Sequence, residues 1–244
     1  MPVKPRSGVR DATKLGAACM QESLILGPGE IQSEDCLFIN VETPAWPTTL
    51  RLPVMVWIHG GGNFAGSGHS PMTNGENLIR RGVVVVSFNY RLGPFGFFAH
   101  PALTRESSHK ASGNQGILDR IAALKWVRDN IAKFGGDPRN VTIFGESAGS
   151  LDVSVLMTTP LSKGLFHRAI GESGPAVLVG ESRSLDEAEK HGQAGPPPCV
   201  LQPVYRKRQS AHEKVIQLRG ANVTAALMFD PRLASCLPAT HAML

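Results

Sequence analysis

The apolar positions in the middle of the chain follow two periods. Short apolar runs of strand length occur at residues 53–58, 82–88 and 140–144. The run at 82–88 carries β-branched residues at consecutive positions, which is typical of a strand buried on both faces in a parallel sheet. Over residues 116–134, apolar residues recur every three or four positions, which predicts a long helix that Gly-Gly-Asp-Pro at 135–138 ends.

Further segments continue this alternation of strands and helices. A helix is predicted from Ala148 to about Met157, a strand begins over residues 168–171, and a short strand-like run covers residues 36–41. This order predicts an α/β protein with a doubly wound, mostly parallel sheet, flanking helices and right-handed crossovers.

The last segment, residues 181–244, has a different texture. It is weakly patterned, rich in Ala, Pro and Arg, and interrupted by Gly-Pro-Pro-Pro at 195–198. Two short helices are predicted there, at 184–190 and 210–219, each opened by a Ser followed three residues later by Glu. We therefore divide the chain into a domain at 1–180 and a weakly structured, disordered or aberrant tail at 181–244.

Length and composition fit a folded domain. The chain has 244 residues, of which 42% are hydrophobic and 18% charged, which excludes a disordered chain, a collagen-like fibre and a disulfide-dense mini-protein. The net charge of +5 belongs mainly to the tail, because residues 1–194 carry 19 Lys+Arg against 18 Asp+Glu. The body is nearly neutral, so we expect no nucleic-acid partner.

The sequence also bears on membranes and metals. Its apolar runs are far shorter than a bilayer requires, and residues 1–10 are rich in Pro, Lys and Arg, so we expect no membrane partner and no signal peptide. The cysteines show no CxxC pairing, so we expect no metal site. They are Cys19, Cys36, Cys199 and Cys236.

A candidate nucleophile follows the strand predicted at 140–144. There the chain runs into Gly-Glu-Ser-Ala-Gly at 145–149, and the predicted helix comes next. This strand–turn–helix context is what a G-x-S-x-G nucleophile elbow requires, with glycines that permit a sharp turn and close packing. Ser147 is therefore predicted to lie strained and exposed at the carboxyl end of a sheet strand. The alternative is an ordinary Gly/Ser turn.

A second constellation, His-Gly-Gly-Gly-Asn at 59–63, directly follows the strand predicted at 53–58. Acyl transfer builds negative charge on a carbonyl oxygen, and backbone N–H groups can stabilise that charge. Consecutive glycines let the backbone approach the oxygen without Cβ interference. A phosphate-binding loop fits less well, because neither G-x-G-x-x-G nor G-x-x-x-x-G-K-[ST] is present.

With these motifs in order, residues 9–180 resemble the type B carboxylesterases, the cholinesterase-like branch of the α/β-hydrolases. The resemblance rests on six motifs in the family's order. They are SEDCLFINV at 33–41, VWIHGGG at 56–62, NYRLG at 89–93, GNQG at 113–116, FGGDP at 134–138 and VTIFGESAG at 141–149.

The resemblance implies a carboxylic-ester hydrolase that acts on small molecules without a metal or organic cofactor. It makes Ser147 the nucleophile, and it builds the oxyanion hole from Gly61, Gly62 and the amide of Ala148. Glu146 corresponds to the family's acidic neighbour of the nucleophile. The oligomeric state is left open.

The resemblance further implies a disulfide between Cys19 and Cys36. Such a bridge contributes about 3 kcal/mol in the chain-entropy model and needs an oxidising compartment, which would suit a secreted or periplasmic parent. Two buried free thiols are the alternative. Asn63 stands where the family more often has Phe, which makes the pocket wall more polar, and Phe64 is a candidate to substitute for that aromatic ring.

The base and the acid of a catalytic triad are not identifiable from the sequence. The family places its histidine far downstream in a Gly-x-x-His-Gly turn, and no histidine after Ser147 has that context. Of these histidines, His167 is interpreted as structural, and His191 and His212 as helix-surface residues; the fourth is His241. The acidic residues without an assigned role are Glu172, Asp186, Glu187, Glu189 and Asp230.

The family domain is commonly twice this length, and nothing from residue 195 onward matches it. We therefore expect an incomplete domain or a shifted reading frame, with weak or absent turnover by this chain alone. One alternative is a non-catalytic remnant or cholinesterase-like binding module. Another is an unrelated lipase-type or peptidase-type hydrolase on the same fold.

Overall fold

A computed structural model describes residues 12–21, 26, 31–45, 47–69, 75–174 and 183–194. The chain divides into two compact units, one within residues 1–98 and 112–182 and the other within 99–111 and 183–244. The strands are β1 (Ala18–Cys19), β2 (Gln32–Ser33), β3 (Ile39–Glu42), β4 (Leu52–Ile58), β5 (Val84–Phe88), β6 (Gly136–Glu146) and β7 (Arg168–Glu172). The α-helices are α1 (Glu76–Ile79), α2 (Gly93–Phe97), α3 (Pro101–Glu106), α4 (Gln115–Asn130), α5 (Ala148–Thr158) and α6 (Leu185–Gln193).

The first unit is built on a five-stranded sheet with the order β3-β5-β4-β6-β7. β3 pairs antiparallel with β5, and all other neighbours are parallel. Every residue of β5 is buried, as its β-branched sequence predicts. The predicted α/β fold with a mostly parallel sheet and flanking helices is confirmed.

The crossovers define where a ligand crevice forms. The connection from β4 to β5 runs one way along the sheet, whereas those from β5 to β6 and from β6 to β7 run the other way. With right-handed crossovers, α4 and α5 therefore share the face opposite α1. The neighbouring strands β4 and β6 thus send their loops to opposite faces, and their carboxyl ends form a topological switch point.

The core lies between this sheet and the helices. Val54, Val56 and Ile58 of β4 are fully buried beside Val141 and Ile143 of β6. The helix predicted at 116–134 supplies the opposing layer through Ile121, Leu124 and Val127 of α4 and through Ile131.

Two element boundaries differ from the sequence-based prediction. The α-helical geometry ends at Asn130 and continues as a 3₁₀ turn over Ile131–Phe134, which Gly135 closes in a left-handed conformation. β6 begins at Gly136 rather than at residue 140. The reason is that Leu52 pairs with Gly136 across a register irregularity in β4.

The second unit contains α3 and α6 among its described residues. Ser184 and Glu187 form the predicted capping box at the start of α6. Thr104 of α3 donates a hydrogen bond to the carboxylate of Glu189. The predicted helix at 210–219 and the remainder of the tail lie outside the described residues. Within the described parts of the chain, no helix is long and apolar enough to cross a membrane.

Candidate active site

Ser147 occupies the turn between β6 and α5. Its backbone angles are φ 55° and ψ −122°, a conformation that residues other than glycine rarely adopt. The amide of Ser147 donates to the carbonyl of Glu172 at 2.8 Å, and its carbonyl accepts from the amide of Ser150 at 3.0 Å. The turn is thus strained, as predicted, and its side chain is half-buried rather than exposed.

The glycines on either side of Ser147 are required by close packing. A Cβ on Gly149 would lie 2.1 Å from the carbonyl oxygen of Ile58, at the end of β4. A Cβ on Gly145 would lie 2.6 Å from the carbonyl carbon of Gly149. The start of α5 therefore packs directly against backbone, which only glycine permits.

Three successive residues of the glycine loop after β4 have left-handed backbone conformations. Gly61, Gly62 and Asn63 have φ values of 97°, 64° and 62°. The carbonyl of Gly61 accepts hydrogen bonds from the amides of Phe64 and Ala65, both at 3.0 Å. Among the described residues, the amides of Gly61 and Gly62 donate to no acceptor, so both are available for a bound oxygen.

This loop and the serine turn lie against each other at the switch point. A Cβ on Gly60 would lie 3.2 Å from the Cβ of Ser147 and 2.8 Å from the carbonyl oxygen of Glu146. The same position would lie 3.2 Å from Oε2 of Glu146, so that carboxylate faces the glycine loop. Ala148 is buried as the first residue of α5, where helix amides lack intrahelical acceptors.

His59, at the start of the loop, is a structural residue to which the sequence analysis assigned no role of its own. Its ring is buried and stacks on Tyr90 with centroids 4.1 Å apart, and its Nδ1 lies 2.9 Å from the carbonyl of Gly60. The hydroxyl of Tyr90 donates to the carbonyl of His59 at 2.6 Å. Burial lowers the pKa of His59 to about 3, so its imidazole is neutral.

A buried ion pair lies behind the glycine loop and was also missed from the sequence. Arg120 of α4 is fully buried and pairs with Asp152 of α5. The guanidinium of Arg120 lies 3.4 Å from the ring centroid of Tyr90. A signal was present in the sequence, because Arg120 lies three residues after Ile117 within the apolar stripe of α4.

The segment around the disulfide supports the far end of the loop. Cys19 and Cys36 are bonded and buried, with their Cα atoms 4.8 Å apart. Gln21 accepts from the amide of Gly66 through Oε1 at 2.7 Å and donates to the carbonyl of Gly66 through Nε2 at 2.8 Å. The segment that carries the disulfide and the glycine loop are therefore joined directly by hydrogen bonds.

The described residues after Ser147 supply no base for it. The amide of His167 donates to the carbonyl of Val141, and Nδ1 of His167 accepts from the amide of Val141, in the middle of β6. Ser147 lies six residues further along, roughly 20 Å away at the rise of a strand. His191 is exposed on α6. His212 and His241 lie outside the described residues.

The candidate acids have structural partners or lie on the surface. Asp186 pairs with Lys190 along α6, whereas Glu187 and Glu189 make the capping and Thr104 contacts described above. Glu172 is exposed, and among the described residues its backbone carbonyl alone contacts Ser147 through a hydrogen bond. Asp230 lies outside the described residues.

A strained serine between a parallel strand and a helix, beside a glycine loop at the switch point, defines the α/β-hydrolase class of fold. The family model described as "Carboxylesterase family" matches residues 1–194, and the chain belongs to this family.

Individual relatives agree with this assignment. The chain is 47% identical over 195 residues to fumonisin B1 esterase of Sphingopyxis macrogoltabida, covering 78% of this chain and 36% of that protein. It is 53% identical over 171 residues to para-nitrobenzyl esterase of Bacillus subtilis, covering 68% and 34%. The crystal structure of a Geobacillus stearothermophilus carboxylesterase superposes with a TM-score of 0.68 at 45% identity, covering 76% and 37%. The chain thus spans about a third of the length of these relatives.

Proposed function

We propose that this chain carries the nucleophile and the oxyanion hole of a carboxylic-ester hydrolase that works through an acyl-enzyme. The observation that supports this most strongly is the strained Ser147 lying against a glycine loop whose amides have no acceptor among the described residues. Ser147 is the proposed nucleophile. Gly61, Gly62 and Ala148 are the proposed oxyanion donors.

The proposed reaction has two steps. Oγ of Ser147 attacks the ester carbonyl carbon and gives its proton to a base, and the carbonyl oxygen takes the negative charge beside the loop amides. The alkoxide then leaves and takes a proton, which produces an alcohol and an acyl-serine. Water attacks this acyl group in the second step and releases a carboxylic acid and the free serine.

Glu146 has a proposed electrostatic part in this site. Its carboxylate faces the glycine loop next to the nucleophile, within the crevice at the switch point. A fixed negative charge there favours a cationic base that has taken the serine proton. Small-molecule esters are the proposed substrates, which the esterase names of the relatives support.

The missing base affects both steps, and this determines the test. Because no described residue after Ser147 supplies a base, we expect attack by Ser147 to be slow and hydrolysis of the acyl-serine to be slow as well. We therefore expect little turnover by the chain alone, with any acyl group formed remaining on Ser147.

The experiment is incubation of the chain with p-nitrophenyl acetate, acid quenching and peptide mass mapping. We expect acetyl on the peptide that contains Ser147, lost in Ser147→Ala and retained in Ser154→Ala, a matched change within α5. Acetyl groups found only on lysines and other serines of the folded chain would contradict the proposal. Turnover at rates typical of intact esterases would show that the chain contains a base.

A further inference from the structure

Three side chains from distant parts of the chain meet behind the glycine loop. Nη2 of Arg120 donates to Oδ1 of Asn63 at 2.5 Å and also donates to Oδ2 of Asp152. Nδ2 of Asn63 donates to Oδ1 of Asp152 at 3.4 Å. Arg120 is fully buried and Asp152 is 2% exposed. We call these three residues the Asn63 cluster.

We propose that Arg120 and Asp152 are positioning residues that orient the oxyanion-hole amides by acting through Asn63. This inference rests on the proposed function. Asn63 directly follows Gly62 and is held at φ 62°. Its side chain is bound by Arg120, and its carbonyl accepts the amide of Gly93 at 2.7 Å.

The conformational freedom of the loop makes such an anchor necessary. Two glycines in left-handed conformations impose little direction on their own amides, because glycine populates many backbone states. The Gly61 carbonyl fixes one end of the loop through the amides of Phe64 and Ala65. Asn63 fixes the other end, so the peptide planes between Gly61 and Asn63 are set from both sides.

The cluster also relates the loop to the nucleophile. Asp152 lies on α5, which begins at Ala148 directly after Ser147. The axial distance from Ala148 to Asp152 is roughly 6 Å at the rise of an α-helix. A single rigid helix therefore carries the serine turn at its start and the anchor of the loop one turn later.

Stability alone does not account for this ion pair. Burying two charges costs several kcal/mol, and apolar residues of similar volume are often as stabilising. Nε and Nη1 of Arg120 have no hydrogen-bond partner among the described residues. Burial also raises the pKa of Asp152 to about 6, although Arg120 acts in the opposite direction. We therefore attribute the ion pair to its second effect, which is to hold the side chain of Asn63 in one orientation.

The identity of residue 63 agrees with this function. A phenyl ring at this position would offer Arg120 no hydrogen-bond acceptor. The amide of Asn63 offers an acceptor to Arg120 and a donor to Asp152. Asparagine also tolerates a positive φ better than most residues.

The test compares loop protection with overall stability. The double variant Arg120→Met/Asp152→Leu removes both charges and keeps apolar volume, so the fold is expected to survive. We expect hydrogen exchange of the Phe64 and Ala65 amides, measured by NMR, to quicken about tenfold, the effect of losing one hydrogen bond to a charged group. The unfolding midpoint in urea should stay close to that of the unmodified chain.

The matched control removes another ion pair of the first unit, one that is only partly buried. Arg91 and Asp119 pair at 2.7 Å without contacting Asn63. Arg91→Met/Asp119→Leu is expected to leave exchange at Phe64 and Ala65 unchanged. Unchanged protection of these two amides in a folded Arg120→Met/Asp152→Leu variant would overturn the proposal.

A second variant decides the matter if the double variant does not fold. Asn63→Gly retains the left-handed backbone and the ion pair and removes only the side chain that joins them. We expect about tenfold faster exchange at the Phe64 and Ala65 amides here too, with exchange at the Thr159 amide unchanged. If the exchange rates of the three amides change by the same factor, or do not change, the proposal is overturned.

A chemical readout separates this inference from the proposed function. Acetylation of Ser147 by p-nitrophenyl acetate is expected to slow about tenfold or more in the same variants, since oxyanion donors are misplaced. Acetylation that stays at the original rate while loop protection falls would overturn the positioning role. Absence of acetyl on Ser147 in the unmodified chain would contradict the proposed function alone, and the exchange data would still decide whether Asn63 orders the loop.

Discussion

The amide of Ser147 donates to the carbonyl of Glu172 at 2.8 Å, so the strained turn is held by the neighbouring strand β7. This bond extends the parallel pairing of β6 and β7 by one residue beyond Glu146. The register of the sheet therefore fixes the serine at φ 55° against its own conformational preference. The pairing of β6 and β7 therefore compensates for the unfavourable backbone conformation of Ser147.

Replacing Ser147 by glycine is expected to stabilise the chain. Glycine adopts the observed backbone angles without steric cost, whereas Ser147→Ala retains the strain. The free energy of unfolding in urea should be about 1 kcal/mol higher for Ser147→Gly than for Ser147→Ala. Ser154, within α5, is the control position: the free energy of unfolding should be about 0.5–1 kcal/mol lower for Ser154→Gly than for Ser154→Ala. Equal stability of the two Ser147 variants would show that the turn is not strained.

Replacing Gly149 by alanine is expected to be strongly destabilising. The new Cβ would lie 2.1 Å from the carbonyl oxygen of Ile58, so α5 would have to move away from β4. Gly82→Ala is the matched control, because Gly82 has a φ of 76° and no atom within 4 Å of its Cβ position. We expect urea denaturation to show a cost on the order of 2 kcal/mol beyond that of Gly82→Ala. A smaller cost than the control would contradict the packing described here.

Removal of the disulfide is expected to lower stability and loosen the glycine loop. Cys19→Ala/Cys36→Ala opens a bridge with a sequence separation of 17, for which the chain-entropy model gives about 3 kcal/mol. The amide of Gly66 should exchange faster, because Gln21 binds it from beside Cys19. Loss of stability without faster exchange at Gly66 would show that the two features are independent.

His59 is expected to make stability fall as pH falls. In the folded chain the pKa of His59 is about 3, below the ordinary value of 6.5. Between these two pH values the imidazole is protonated in the unfolded chain and neutral in the folded chain. The contribution is complete above pH 6.5 and is lost progressively toward pH 3. Asp152 opposes this trend, because its pKa is raised and its folded form is protonated first.

The difference between the unmodified chain and His59→Asn isolates the histidine term. The stability advantage of the unmodified chain, measured by urea unfolding, should shrink steadily as pH falls through that window. An advantage that does not change with pH would contradict a buried neutral imidazole.

Local features of this fold could be predicted from the sequence. The consecutive β-branched residues of β5 predicted a strand buried on both faces, and the Gly-Glu-Ser-Ala-Gly motif placed a tight turn between β6 and α5. Both follow from residues that are neighbours in the chain. The start of β6 was misplaced, because it depends on pairing with Leu52 in another strand.

The Asn63 cluster could not be predicted, for the same physical reason on a larger scale. Arg120 lies 57 residues from Asn63 and 32 from Asp152, and only the folded positions of α4, α5 and the loop bring them together. The helical periodicity of α4 shows Arg120 only as one polar residue within an apolar stripe. Whether such a residue is solvated or buried depends on what packs against the helix.

The most direct test of the central claim is labelling of the chain with a fluorophosphonate, followed by intact mass and peptide mapping, with and without imidazole in solution. Imidazole supplies the base that the described residues after Ser147 lack. We expect slow labelling at Ser147 that quickens as imidazole is added and is lost in Ser147→Ala. A folded chain that remains unlabelled at Ser147 at high imidazole concentration would contradict a competent nucleophile and oxyanion hole.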